Sequence, residues 1–137
     1  MSDELGMMNG GSPRPSRTSD LSARTKDFAL RIIRLYESLP KSTAAQVLGR
    51  QVLRSGTSVG AHYREASRGR STAEFISKLE VGLQELEETS YWLELLVDGG
   101  FVPKSRLADL LDEANQLNAM LTASAKTIKS KKRAAPR

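Results

Sequence analysis

The sequence contains no cysteine and only one histidine, which narrows the chemistry it can support. Without thiols there are no disulfides and no thiolate metal ligands, and a single imidazole cannot form a metal cluster by itself. The best hydrophobic run, YWLELLV, is interrupted by Glu94 and is far shorter than the ~20 residues of a membrane span. The N-terminus lacks the apolar segment of a signal peptide. We therefore expect a cytoplasmic protein without a metal, a cofactor or a membrane partner.

The net charge of +5 is unevenly distributed along the chain. Residues 21–125 contain thirteen basic and thirteen acidic side chains, whereas residues 126–137 contain six basic side chains and no acidic one. The basic character therefore belongs mainly to the C-terminal segment. Such a tail can attract nucleic acid or another anionic surface, and it is equally consistent with a solvated end that only aids solubility.

Four segments of the chain show the apolar periodicity of packed helices. Residues 1–18 are rich in glycine, serine and proline and are expected to be disordered; residues 19–128 are expected to form the bundle, and residues 129–137 a disordered basic tail. Apolar or small residues recur at alternating steps of three and four, and no alternating β pattern competes. The predicted stripes are Leu21, Phe28, Ile32, Leu35 and Leu39; Ala45, Leu48, Val52, Ser55, Val59, His62 and Ala66; Phe75, Leu79, Gly82, Leu86, Thr89, Leu93 and Leu96; and Leu107, Leu110, Ala114, Leu117, Leu121, Ser124 and Ile128.

The segments between these stripes carry helix-end signals. Pro40 disfavours helical geometry at the residue before it and so ends the first helix. Ser42 is a candidate N-cap for the second helix, and Ser71 with Glu74 has the spacing of a capping box at the start of the third. Gly99–Gly100 predicts a left-handed stop after the third helix. Because such short connections make sequential helices antiparallel, we predict an all-α, up-down-up-down four-helix bundle.

The second helix contains an arginine-rich stretch, RSGTSVGAHYREASRGRS, at residues 54–71. Its glycines continue the helical pattern, so we expect them to permit a bend or a close helix approach; the sequence of a phosphate-binding P-loop is absent. Arg50, Arg54, Arg64 and Arg68 recur at helical steps on a stripe turned by about 200° from the apolar stripe. Together with Arg70, they form the candidate nucleic-acid-binding set.

Three interpretations of this arginine stripe are open. Its side chains could form a solvated charged face, which contributes little to stability. The third helix, with seven acidic side chains and one lysine, offers a second interpretation, in which the arginines meet these carboxylates within one subunit or between subunits. The third is that the arginines bind phosphates on a surface assembled from several subunits.

The remaining polar residues of interest are expected to be structural. His62 lies on the apolar stripe, where a packed, hydrogen-bonded histidine is the expected role, and we group it with Glu65 and Glu88 in a polar network; Glu88 is expected to have an arginine partner. Seven residues separate Arg54 from His62, too many for the R-x(4–6)-H motif of HEPN-type ribonucleases. No elbow motif supports a Ser-His-Asp triad. We therefore expect no enzymatic activity.

Several of these stretches resemble the 23S rRNA-intervening-sequence proteins, a family of four-helix bundles. Ser58, Val59 and Glu65 match a family pattern S-[IV]-x-x-N-x-x-E in the second helix, and His62 stands where asparagine is usual. Further matches follow in order at Arg68–Ser71, Glu74–Phe75, Glu88–Thr89 and Tyr91–Leu93.

The resemblance covers about residues 28–121 and implies a small bundle that assembles as a ring, commonly a homopentamer. Some members are encoded within intervening sequences of bacterial large-subunit rRNA genes, and a related branch serves as accessory protein to reverse transcriptases and binds nucleic acid. No catalytic residue is implied. We therefore expect a homo-oligomer that binds RNA or DNA, with RNA favoured and a polymerase or RNA-processing protein as a further partner. The alternative is a protein-interaction scaffold without nucleic-acid affinity of its own.

Overall fold

Four helices make up the part of the chain that the structure, a computed structural model, describes, which is residues 17–134 with side chains from residue 20 to residue 131. They are α1 (Arg17–Glu37), α2 (Thr43–Ser67), α3 (Thr72–Asp98) and α4 (Lys104–Ala134). Each helix packs against its neighbours in sequence and α1 closes the bundle against α4, whereas within these residues the backbones of the diagonal pairs do not come close to each other. The predicted all-α four-helix bundle is thereby confirmed. None of the four helices is long and apolar enough to cross a membrane.

The helix ends use the capping residues that the sequence indicates. The side chain of Ser42 accepts a hydrogen bond from the backbone N–H of Ala45 at 3.3 Å, and that of Ser71 accepts one from the N–H of Glu74 at 3.1 Å. The carboxylate of Glu74 reaches back to the N–H of Arg70, one residue before the N-cap, at 2.6 Å. After α3, Gly100 has a positive φ of 79°, a conformation that glycine adopts without steric cost.

The outer boundaries of the bundle differ from the prediction. Helix α1 begins at Arg17, before the predicted start at residue 19, and α4 continues to Ala134, beyond the predicted end at residue 128. Ala125 is buried and Ile128 half-buried, so packing of α4 continues up to the last residue of the predicted stripe. Lysines near its C-terminal end are favoured by the helix dipole. The rest of the two segments predicted to be disordered, residues 1–16 and 135–137, lies outside the described residues.

The predicted stripes of α1, α3 and α4 line the core, with Phe75, Ser124 and Ile128 only half-buried. In α2 the buried face is turned relative to the prediction. Leu48 and His62, both expected in the core, are half-buried at its edge. The buried residues of α2 are Ala45, Gly49, Val52, Ser55, Gly56, Val59, Gly60, Tyr63 and Ala66.

Helix α2 turns its glycines towards α1 because the two helices lie too close for side chains at these positions. A Cβ built on Gly56 would lie 2.8 Å from Cγ1 of Ile32, and one built on Gly60 would lie 3.0 Å from Oγ1 of Thr25. A Cβ on Gly49 would lie 2.6 Å from Cδ1 of Leu39. The arginine-rich segment is therefore helical and closely packed, in agreement with the expected role of its glycines.

Contacts between α1 and α4 are the sparsest of the four helix pairs, and one arginine bridges them. Arg24 of α1 binds Glu113 of α4 through two hydrogen bonds of 3.1 and 2.7 Å, and it also donates to Oε1 of Gln116 at 3.0 Å. The hydrogen bond to Glu113 raises the pKa of Arg24 more than desolvation lowers it. The ion pair is half-buried, with side chains 27% and 17% exposed, and it links the two helices that close the bundle.

The close approach of α1 and α2 predicts opposite outcomes for two glycine substitutions. Gly56→Ala should lower the free energy of unfolding by about 1–2 kcal/mol, because overpacking against the buried Ile32 outweighs the gain in helix propensity. Gly82→Ala is the matched control: its Cβ would lie 3.4 Å from Cβ of His62, so stability should be unchanged or increase by up to ~1 kcal/mol. Urea denaturation at one protein concentration measures both. Equal stabilisation by the two substitutions would contradict the close contact.

A double-mutant cycle tests the bridge between α1 and α4. Arg24→Gln and Glu113→Gln should show a coupling energy of about 1 kcal/mol, at the upper end for such pairs because both side chains are mostly buried. The exposed pair Lys129–Glu80, with side chains 48% and 52% exposed, serves as the control and should couple by less than ~0.5 kcal/mol. A coupling for Arg24 no larger than that of the control would show that the bridge does not close the bundle.

Candidate nucleic-acid interface

The face of α2 opposite its buried residues carries the predicted arginines. Arg50, Arg54, Arg64 and Arg68 are exposed there, and Arg70 is exposed in the turn that leads to α3. This placement follows from packing, because the glycine side of α2 meets α1 and Ser55 meets α3. The hydroxyl of Thr89 donates to the carbonyl oxygen of Glu85 at 2.8 Å, and its oxygen lies 2.8 Å from Oγ of Ser55 between the two helices.

Arg54 is the one member of the set whose guanidinium group binds carboxylates of α3 within the described residues. Its Nη1 donates to Oε1 of Glu85 at 3.0 Å, and its Nη2 donates to Oε1 of Glu88. These hydrogen bonds, first that to Glu85 and then that to Glu88, raise the pKa of Arg54. For this residue the second interpretation of the sequence applies, within a single subunit: the guanidinium meets the acidic face of α3.

The other four arginines have no carboxylate within 4.0 Å among the residues that the structure describes. The acidic residues nearest to them in sequence are engaged elsewhere. Glu65 lies 3.2 Å from Nδ1 of His62 and 3.9 Å from Nζ of Lys78. Glu74 accepts a hydrogen bond from the backbone of Arg70. The positive charge of these four guanidinium groups is thus left for another partner.

The three residues grouped as a polar network form two separate pairs. His62 and Glu65 contact each other on α2, whereas Glu88 contacts Arg54. The prediction that His62 lies in the core is wrong. Its side chain is 26% exposed, and Tyr63, which is 4% exposed, packs in the core instead. The cause is the turn of α2 towards α1, which brings the glycines and Tyr63 into the buried face while Val52, Ser55 and Val59 stay buried.

A shallow cleft of about 250 Å³ beside Arg64 is lined by a basic residue that the sequence pattern did not indicate. Lys26 of α1 lines it together with Thr25, Ala29, Thr57, Gly60, Ala61 and Arg64. Gly60 lines this cleft at the point where the backbone of α2 lies next to Thr25. Only the register between α1 and α2 reveals that Lys26 and Arg64 share one surface.

Comparison with known proteins agrees with this architecture. A crystal structure from Bacteroides thetaiotaomicron VPI-5482, of a protein of unknown function from the S23 ribosomal protein family, is 35% identical in sequence, with a TM-score of 0.77. The match covers 81% of this chain and 99% of that chain. No curated protein matches the sequence at a significant level. Residues 17–123 match the 23S rRNA-intervening sequence protein family, and the chain therefore belongs to that family.

Proposed function

We propose that this protein is a non-enzymatic homo-oligomer that binds nucleic acid, with RNA favoured, through the exposed arginines of α2. One observation carries the proposal: Arg50, Arg64 and Arg68 lie on the exposed face of α2 and its C-cap, Arg70 follows in the next turn, and none of the four has a carboxylate partner among the described residues. By contrast, Arg54 on the same face, and Arg24 and Lys129 in other parts of the bundle, bind carboxylates of neighbouring helices.

The chemistry of this surface suits a phosphate backbone better than it suits bases. Guanidinium groups bind phosphate oxygens with two parallel hydrogen bonds, and each neutralised phosphate releases counterions. Base recognition in single strands depends on aromatic side chains that stack on the bases. Among the described residues, Tyr91 is the one aromatic side chain that is mostly exposed, and it lies on α3. We therefore propose backbone contact without strong sequence preference.

The arginines form a track whose two ends differ. From residue 50 to residue 68 the helix rises by about 27 Å, which is long enough to contact several nucleotides. Arg64, Arg68 and Arg70 are concentrated at the end next to α3, where Lys26 adds a further cation across the cleft. Arg54 is held by Glu85 and Glu88 and separates this group from Arg50. The strongest phosphate binding is therefore proposed at Arg64, Arg68, Arg70 and Lys26.

Assembly into a homo-oligomer, most simply the pentamer that the sequence resemblance implies, is part of the proposal. Its support is the solvent-exposed side of α3, where Val81 and Tyr91 both reach solvent about 80° apart around the helix axis. Tyr91 is 54% exposed, and its ring centroid lies 5.1 Å from that of Trp92. Exposed aromatic and aliphatic side chains of this kind are typical of subunit contacts. A ring would repeat the arginine track around its axis and concentrate the positive potential.

The same outward face of α3 supports the alternative function, a scaffold that binds another protein and has no nucleic-acid affinity. Glu87, Glu94 and Asp98 are exposed on α3 and, within the described residues, have no basic partner. In the scaffold alternative these groups and Tyr91 bind the partner. In the proposed function, a polymerase or RNA-processing protein would bind this face while the arginines of α2 hold the nucleic acid.

RNA binding by variants of the arginine track tests the proposal. Arg64→Gln with Arg68→Gln should weaken binding of a single-stranded RNA and make its dependence on log salt shallower by about 0.7 per lost phosphate contact. The basic tail should first be neutralised by substitution of Lys126, Lys131, Lys132, Arg133 and Arg137 with glutamine. Substitution is preferable to deletion because α4 packs through Ala125 and Lys129 binds Glu80.

Lys41→Gln with Lys104→Gln removes the same charge from exposed positions at the other end of the bundle and is the matched control. Its salt dependence should stay close to that of the parent protein, measured by fluorescence anisotropy with RNA that carries a 5′-hydroxyl. The proposal is wrong if the parent with a neutral tail does not bind RNA, or if both variants weaken binding equally.

The oligomeric state tests the second part of the proposal. Light scattering coupled to gel filtration should give the mass of five copies of the 15.0 kDa chain. Val81→Glu with Tyr91→Glu should shift the protein towards smaller species, because charge is depleted in the buried centre of interfaces. Ala108→Glu, at an exposed position of α4, should leave the mass unchanged. A monomeric parent protein at micromolar concentration would contradict the proposed assembly.

A further inference from the structure

A second basic cluster lies between α1 and α4, and α2 contributes no residue to it. Arg31 and Arg34 reach it from the C-terminal half of α1, and Arg106 reaches it from the first turn of α4. The cleft between them has a volume of about 290 Å³. Its apolar floor is formed by Leu35, Leu107 and Leu110. These leucines are almost fully buried, so the arginines dominate the surface that a ligand would meet.

The arginines of this cleft form no ion pair within the described residues, although Asp27, Glu37 and Asp109 lie within one helical turn of them in sequence. None of the three arginines has a carboxylate within 4.0 Å there. Glu113, another acidic residue of the same helix pair, forms an ion pair with Arg24. Three like charges in one cleft repel each other, and the N-terminal end of α4 adds the positive end of its helix dipole. An anionic ligand would relieve this repulsion.

Arg106 is positioned by a neutral group, which leaves its charge available. Its Nη2 donates a hydrogen bond to Oγ of Ser38. The hydroxyl of Ser38 in turn donates to the carbonyl oxygen of Leu35 at 2.8 Å. The chain of hydrogen bonds therefore fixes the guanidinium of Arg106 at the rim of the cleft without neutralising it.

We infer that this cleft binds a terminal phosphate group, carried by a nucleotide or by the 5′ end of an RNA. Three guanidinium forks can engage the three outer oxygens and the double charge of a terminal phosphate. A phosphodiester within a strand offers two such oxygens and a single charge. The volume is at the lower limit of ordinary ligand pockets, about 300 Å³, which suits a phosphate with part of its attached group. The inference is independent of the proposed role of α2.

Titration of the full chain with pyrophosphate tests the site without nucleic acid. Isothermal titration at constant ionic strength should show binding by the parent protein, and Arg31→Gln with Arg34→Gln should weaken it by about tenfold or more, since charged hydrogen bonds are the stronger ones. Arg64→Gln with Arg68→Gln removes the same charge from α2 and should change the affinity by less than about twofold. Equal weakening by both variants, or no binding to the parent protein, would overturn the inference.

RNA of one sequence, with either a 5′-phosphate or a 5′-hydroxyl, distinguishes the two sources of the phosphate. Tighter binding of the phosphorylated RNA, lost in the variant of Arg31 and Arg34, would support the RNA end. Pyrophosphate binding without such a preference would overturn the RNA end as the source and support a free nucleotide. Dissociation of the oligomer by the same two substitutions would show that these arginines bind another subunit, and the inference would be wrong. If substitutions in α2 change RNA binding and leave pyrophosphate binding unchanged, the cleft is a site separate from α2, as inferred.

Discussion

The close approach of α2 to α1 is the constraint on which the rest of the molecule depends. Gly49, Gly56 and Gly60 give α2 a side without side chains, and the buried residues of α1 occupy that space. Once this side faces α1, Ser55 meets Thr89 of α3 and the arginines face solvent. A helix of about 25 residues with internal glycines loses roughly 1 kcal/mol for each of them in helix propensity. Packing against α1 has to offset that loss, so the same contact that stabilises the bundle also sets the direction of the arginine track.

Ion pairing divides the basic residues into two groups. Arg24, Arg54 and Lys129 bind carboxylates of a neighbouring helix and help to fix the bundle. The other arginines, on the outer face of α2 and in the cleft between α1 and α4, have no carboxylate partner within the described residues. In both places cations from two helices come together, Arg64 with Lys26 and Arg31 with Arg106. Because like charges that lie close together repel each other, these two places are the ones at which we propose that anions bind.

Most of the fold could be predicted from the sequence because its signals are local. The periodicity of the apolar residues located four helices, and Ser42 and Ser71 are the N-caps that their positions suggest. The buried face of α2 could not be predicted in full, since glycine has no side chain to mark it. An apolar pattern favoured His62 over Tyr63, but the close contact with α1 turns α2 and buries Tyr63.

The charged sites were less predictable, because they depend on register between helices. The arginine stripe could be located in the sequence, but only the packing of α2 on α3 shows that Arg54 forms ion pairs with Glu85 and Glu88. Lys26 lies far from Arg64 in sequence, and the cluster of Arg31, Arg34 and Arg106 joins the second half of α1 to the start of α4. No local pattern brings such residues together. Charge pairing across helices therefore distinguishes the paired arginines from the unpaired ones, and it becomes visible only in three dimensions.

The most direct measurement of the central claim is a nuclear magnetic resonance spectrum of the arginine side-chain Nε–Hε groups, recorded with and without single-stranded RNA. The account predicts that the signals of Arg64, Arg68 and Arg70 shift on addition of RNA. The signal of Arg54, held by Glu85 and Glu88 in the free protein, should change little. Shifts confined to Arg133 and Arg137, or a displacement of Arg54 with no change at Arg64 and Arg68, would contradict it.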